Sequence, residues 1–491
     1  MASPSSNNPS QGVTFGVELE MAVPFLFFDQ PDPAEGMDMR KVIRVSRETK
    51  SPRTSFREET PRPENILEGI FKEFLRGHGL AIWDPTMQGK ADQAISPPTG
   101  WFIGIDTSIH ELKFAHYNWV GLELRSPAML ANETSFAEIK RVVSLLRTSF
   151  RLRVNETTGL HVHVGLGAQR LPPRAIIRLV QLLWCADGTL SQLHPPERFL
   201  SPFCPSIRHD SVLARRLLDD WRGTENLTVG GGLAITPLTV SAALTDRLKA
   251  LLQAPTSFPA LDSRPNTSRL QRLPPVRTNP YEDAGAQRRY GMLNVFGGGR
   301  PHRDFLLISR PAEGITEETC LPVLDGLRAL CRPEMYEKAT RAVDEIQINS
   351  MKRANYNCNA YGFQHVGGPP MRMTVEFREA AGSLDPSWVA AWARITSRIV
   401  EFCLEAEEDE FVELLMRVLE AELAFEANGG VSRYDVVDFL HDLGLPDEAR
   451  FVEENIIFGD KASFWFPCAL SWSQLDDQPG ATIMMPTEYE N

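Results

Sequence analysis

The chain has 491 residues, of which 42% are hydrophobic and 23% charged, and a formal net charge of −13. Those proportions belong to a chain that folds around a core, and the acidic balance excludes a general nucleic-acid binder, which needs a basic surface to neutralise phosphates. No run of about 18 apolar residues exists for a membrane span, and Met1 to Gln11 is rich in Ser, Asn and Pro without an apolar signal core. A cytoplasmic protein is expected.

Residues 1–12 read as an irregular end, followed by a first strand from Phe15 to Met21. The charged, Pro-bearing stretch at about 31–63 reads as a loop insertion, and 64–79 as a helix. An apolar run from Trp101 to Ile105 precedes Asp106, Thr107 and Ser108, and a strand from Gly121 to Ser126 ends at Pro127. Ser135 and Glu138 form a capping-box pattern that predicts a helix over 136–150. A strand over 159–166 follows, then helices over 173–194 and 210–221.

A second insertion is expected at about 254–287, where six prolines occur. Helices are predicted over 318–346 and, after a strand from Thr374 to Arg378, from Asp385-Pro386 onward, where Asp suits the N-cap and Pro the first turn. Trp388, Trp392, Ile395, Ile399 and Phe402 then recur at helical spacing and read as core. Residues 406–474 are acidic and helical, with 407–427 as one helix, and are expected to be an appended region; 475–491 reads as a flexible tail. The pattern as a whole is α+β.

Seven scattered cysteines, none in a Cys-x-x-Cys pair, predict reduced thiols. The runs Gly230 to Gly232 and Gly297 to Gly299 are not followed by Lys-Ser/Thr and so make no P-loop.

Four strands divide their residues by parity, apolar on one face and ionisable on the other. The first carries Glu18 and Glu20, the second Glu123 and Arg125, the third His161 and His163, the fourth Glu376 and Arg378. A merely solvated face would be richer in Lys and Thr; these show four Glu, two His, two Arg and no Lys. Carboxylates at i and i+2 stand about 7 Å apart and repel by about 2 kcal/mol at an effective dielectric of about 20. Grouping four of them is costly unless a cation or arginine compensates; a cation site is inferred, and carboxylates with His suit Mg2+ or Mn2+ completed by water and phosphate.

Taken in order, Gly16-Val17-Glu18-Leu19-Glu20, Trp101 through Ser108, Glu123-Leu124-Arg125-Ser126-Pro127, Leu160 through Gly165, and Thr374-Val375-Glu376-Phe377-Arg378 with Gly382 to Asp385 resemble the amidoligase family. This family is a branch of the carboxylate-amine/ammonia ligases. The resemblance spans roughly residues 13 to 404 and implies a catalytic domain over 13–405 with the glutamine synthetase-like fold, a curved, mainly antiparallel sheet with helices packed on one face. It implies an ATP-dependent ligase that forms an amide bond through an acyl phosphate.

The implied metal ligands are Glu18, Glu20, Glu123, Glu376 and one of the two histidines, His163 being preferred over His161. Arg378 would steady the transferred phosphoryl group beside Glu376. Asp106 and Ser108 would lie on the substrate side, where a plain turn explains them equally well, with His161 and Arg125 as further substrate contacts. Arg125 stands where an apolar residue is expected. Asn294 is similar to a residue near the nucleotide, or caps a turn.

The substrates would be a small-molecule or peptide carboxylate and an amine, with neither nucleic acid nor membrane as partner; oligomeric state is open. Two other readings compete. A His-x-His strand also opens many metal-dependent amide hydrolases, but here the pair arrives at 161 and no barrel-like strand–helix alternation accompanies it. The other is a degenerate relative that lost chemistry and serves as an interaction protein; retention of all four ionisable pairs opposes it.

Overall fold

The structure, a computed structural model, describes residues 12–36, 38–47, 62–83, 99–111, 116–155, 157–194, 198, 203–217, 245–253, 323–348, 353–362, 373–427 and 434–457. Its first strand, β1 (Thr14–Phe27), is longer than its alternating part. Phe15, Val17, Leu19 and Met21 are buried on one face, and Ala22, Val23, Phe25 and Leu26 beyond them are buried as well. Both sides of the strand are covered there, so strict alternation stops at Met21 while the strand continues.

β1 lies inside the sheet. After it come β2 (Ile43–Val45), β3 (Phe102–Ile105), β4 (Asn118–Arg125), β5 (Met129–Leu130), β6 (Leu160–Gly165), β7 (Tyr356–Asn357) and β8 (Thr374–Phe377). The order across the open sheet is β3-β4-β1-β6-β8-β7, with β2 and β5 pairing to the ends of β1. All these pairs are antiparallel except β1 with β2. The fold is therefore α+β, as the sequence pattern predicts. β2 sits in the stretch read as an insertion; buried Arg151 pins that stretch by reaching Asp32 at 2.7 Å and the Asp38 carbonyl at 2.5 Å.

Helices cover the apolar face. α1 (Pro63–Gly77) buries Leu67, Phe71 and Leu75, and Phe136 of α2 (Glu133–Ser149) stacks on Phe15 at 4.9 Å. The cap of α2 lies one turn earlier than the predicted Ser135: the Asn132 side chain accepts from the Ser135 amide at 3.0 Å, a role Asn fills as well as Ser. α3 (Pro173–Ser191) is buried from Ala175 to its end. The helix predicted over 318–346 is broken at Pro333, which lacks the amide donor a continuous helix needs; α4 (Val323–Leu330) and α5 (Ala339–Ile346) lie on either side.

α6 (Pro386–Glu405) is capped by Asp385, whose side chain accepts from the Trp388 amide at 2.8 Å. Its aromatic stripe is core: Trp388 and Trp392 are fully buried. α7 (Glu408–Ala427), α8 (Val436–Asp442) and α9 (Pro446–Val452) follow. Their buried Phe411, Leu415, Leu419, Phe439 and Val452 join the same hydrophobic cluster as the sheet. Cys185, Cys204, Cys331, Cys358 and Cys403 are buried free thiols. No described helix is long and apolar enough to cross a membrane.

Candidate functional site

The register of five neighbouring strands gathers the ionisable residues. Glu18 lies opposite Arg125 on one side and His161 on the other, and Glu20 lies opposite Glu123. His163 faces Glu376, which in turn faces Asn357. Because side chains alternate along a strand, this register puts all four predicted pairs on one face.

The distances are short. His163 Nε2 is 3.1 Å from Glu18 Oε1 and 3.8 Å from Glu376 Oε1. His161 Nδ1 lies 3.4 Å from Glu18, 3.5 Å from Glu20 and 3.9 Å from Glu376. Arg125 reaches Glu123 at 2.5 Å and Glu18 at 3.3 Å, and Arg378 hydrogen-bonds Glu376. Glu20 also accepts from the Gly159 amide at 2.6 Å. Glu18, His163 and Glu376 each offer a ligand atom within 4.8 Å of the others. Two carboxylates and an imidazole at that spacing suit a divalent cation of the magnesium or manganese kind.

Burial and crowding separate the carboxylates into two groups. For Glu376, burial pushes the pKa up but His163, Arg378 and His161 outweigh it and bring it to about 2. Glu18 behaves likewise: burial opposes ionisation, yet His163 and His161 hold its carboxyl well below the usual range. Glu123 goes the other way. Burial and the neighbouring Glu18 push it to about 8 against the pull of Arg125, and burial also raises Glu20 despite His161. Half of the carboxylates thus lack enough positive charge of their own, a deficit that a divalent cation would offset.

Other predicted residues fare differently. Asp106 accepts from the Ser108 amide at 2.7 Å and its hydroxyl at 2.6 Å, the closed turn that also explains the pair; the charge of Asp106 nevertheless acts on Glu20. Asn294 and both glycine runs lie outside the described residues. Three further residues contribute that the sequence reading did not single out. Asn357, from a two-residue strand, donates to Glu376 at 2.6 Å, Thr374 lies 3.2 Å from His163 Nδ1, and Arg353 lies 3.6 Å from Glu376. Thr374 shares the parity of Glu376 and Arg378 and could have been read from the strand pattern; Asn357 needed the sheet register, and Arg353, on no strand, needed the structure.

The α+β sheet thus presents one face lined with acids and histidines whose spacing could hold a divalent cation. Residues 11–227 match a family described as "Putative amidoligase enzyme". That segment carries Glu18, Glu20, Asp106, Ser108, Glu123, Arg125, His161 and His163, and over it the chain is similar to that family; Glu376 and Arg378 complete the site from beyond it. No curated protein and no solved structure gives a match.

Proposed function

We propose that this protein is an ATP-dependent ligase that joins a carboxylate to an amine through an acyl phosphate, on a sheet of the glutamine synthetase kind. The observation that carries this reading is the convergence of Glu18, Glu20, Glu123, Glu376, His161 and His163 with Arg378 on one sheet face. The family supports amide-bond formation as the reaction class.

Glu18, His163 and Glu376 would hold Mg2+ or Mn2+, with Glu20 and Glu123 close enough to extend the ligand set. Bound there, the metal supplies charge that offsets the phosphate oxygens of ATP. Arg378, kept cationic by Glu376 although burial opposes it, would stabilise charge on the transferred phosphoryl group through paired hydrogen bonds. The substrate carboxylate attacks that phosphoryl group, ADP leaves, and the amine then displaces phosphate from the acyl phosphate. His161, Arg125, Asp106 and Ser108 would orient the acceptor, and Asn294 would approach the nucleotide. The substrates are small-molecule or peptide carboxylates and amines met in the cytoplasm.

Calorimetry tests this directly. ATP should bind in the presence of Mg2+ and far more weakly in EDTA, and Glu376→Gln should abolish the metal-dependent part. Equal binding with and without Mg2+, or an unchanged Glu376→Gln protein, would sink the proposed site; no binding of nucleotide at all would favour the hydrolase or the degenerate relative.

A further inference from the structure

Four nitrogens crowd one oxygen of the site. Glu376 Oε1 is hydrogen-bonded by Arg378 and has Arg353 Nη1 at 3.6 Å, His163 Nε2 at 3.8 Å and His161 Nδ1 at 3.9 Å. A divalent cation on that oxygen would cancel the charge that holds two guanidinium groups there and would repel both. The two arginines differ in their freedom to respond. Arg378 follows Glu376 by two residues, and its side chain is only 14% exposed.

Arg353 is 58% exposed, and among the described residues Glu376 is its one ion-pair partner, at a length beyond hydrogen-bond reach. An exposed contact of that length holds the side chain weakly. Its backbone, by contrast, is anchored two residues on by Asn355, which is 1% exposed. The Asn355 amide donates to the Pro205 carbonyl at 2.9 Å, its carbonyl accepts from the Arg378 amide at 2.8 Å, and its side chain donates to Asp187 at 2.7 Å. A weakly held guanidinium thus hangs from a firmly held post at the rim of the site.

We propose that Arg353 is the anion-gripping arm of this site, which leaves Glu376 when a divalent cation binds there and closes on a phosphoryl oxygen of a polyphosphate held by the same cation. Arginine suits the task because it stays charged and meets phosphate oxygens with parallel donors. The inference rests on the ligase reading and adds to it the residue that grips the nucleotide's phosphates from outside the sheet.

The test uses the full chain, with Mn2+ binding read by electron paramagnetic resonance, and with ATP and inorganic tripolyphosphate titrated in Mg2+ by calorimetry. Arg353→Gln should bind Mn2+ at least as tightly as the parent and should weaken both polyphosphates about tenfold; Arg353→Lys should recover part of the loss. Parental affinity for both ligands in Arg353→Gln would overturn the arm while leaving the ligase reading intact. So would a loss confined to ATP, which would put the contact on base or ribose, or a loss of Mn2+ binding, which would make Arg353 a support of the metal site. If the parent binds Mn2+ but neither polyphosphate, or binds none of the three, the arm falls together with the nucleotide reading.

Discussion

Two buried polar clusters meet at the consecutive residues Arg378 and Glu379, and they follow opposite rules. In the sheet-face cluster, Glu18, Glu20, Glu123 and Glu376 share two histidines and three arginines, and the same imidazole lies near three carboxylates. In the inner cluster each carboxylate has its own donors. Asp187 accepts from Asn355 at 2.7 Å and Ser206 at 2.6 Å, Glu379 from Tyr356 at 2.6 Å, and Glu422 from Arg208 at 2.7 Å. Buried polar groups with individual partners fix a structure, whereas like charges gathered around shared partners keep room for a ligand. Buried Arg198 joins the two clusters by donating to the carbonyls of Arg378 at 2.9 Å and Glu379 at 3.1 Å.

The largest expected effect comes from deleting residues 406–491, which removes one side of the inner cluster. Phe411, Leu414, Leu415, Met416, Val418 and Leu419 are each at most 4% exposed, and burying one such side chain contributes about 1.5–3 kcal/mol. Their sum rivals the net stability of a domain, about 5–15 kcal/mol. The truncated chain should show no cooperative urea transition; a sharp transition near the parent midpoint would make the C-terminal helices a true appendage.

Next in size is Glu422→Ala. Arg208 and Glu422 have side chains 1% and 6% exposed, and removing one partner of such a pair leaves an uncompensated buried charge, at about 3–5 kcal/mol. Chemical denaturation should read that loss, while Mg2+-dependent ATP binding by the fraction that stays folded should be unaltered. A loss under about 1 kcal/mol, the range of surface pairs, would contradict the enclosed pair.

These clusters were not equally legible in the sequence. Glu18, Glu20, Glu123, His161, His163, Glu376 and Arg378 sit on strands whose buried neighbours recur every second residue, and that period exposes the face by itself. Asp187 lies within α3, where every residue from Ala175 onward is buried, so no periodicity separates it from its neighbours, and its partners Asn355 and Ser206 come from segments distant in the chain. β2, β5 and β7 have three, two and two residues, too few to show a period. Asn357 needed the pairing of β7 with β8 before it could be placed, and Arg353, three residues before β7, lies on no periodic element.

The pH response separates the clusters more finely. A carboxyl whose folded pKa is raised binds its proton more tightly when folded, so its contribution is complete below the ordinary value and is lost as pH rises through the folded value. Glu123, raised from 4.5 to about 8, should lose its share across that interval, and Glu379, raised by burial and Asp187, changes in the same direction. Glu18 and Glu376 are depressed, so their contributions are present above 4.5 and are lost only in acid, for Glu376 towards about 2. In EDTA, stability should fall between about pH 5 and about pH 8, with each coupled proton adding a slope of up to about 1.4 kcal/mol per pH unit. Mg2+ should remove the part due to Glu123 and leave that due to Glu379, and Glu123→Gln should flatten the EDTA curve. A slope indifferent to both changes would mean that the sheet-face carboxylates are already compensated.

The smallest effect probes how tightly the sheet-face cluster is packed. The Gly159 amide donates to Glu20 at 2.6 Å, and its carbonyl accepts from the Glu20 amide at 3.2 Å. A Cβ placed there would lie 2.6 Å from His161 Nε2 and 3.4 Å from Arg198 Nη2. Alanine would keep the backbone contacts and press on an imidazole already close to Glu18 and Glu20, at an overpacking cost of about 1–3 kcal/mol. Displacing His161 should also weaken Mn2+ binding about tenfold, the scale of losing a residue that orients metal ligands. If Gly159→Ala lowers stability but leaves Mn2+ affinity unchanged, His161 does not align the cation's carboxylates, and the shared-partner rule holds only around His163.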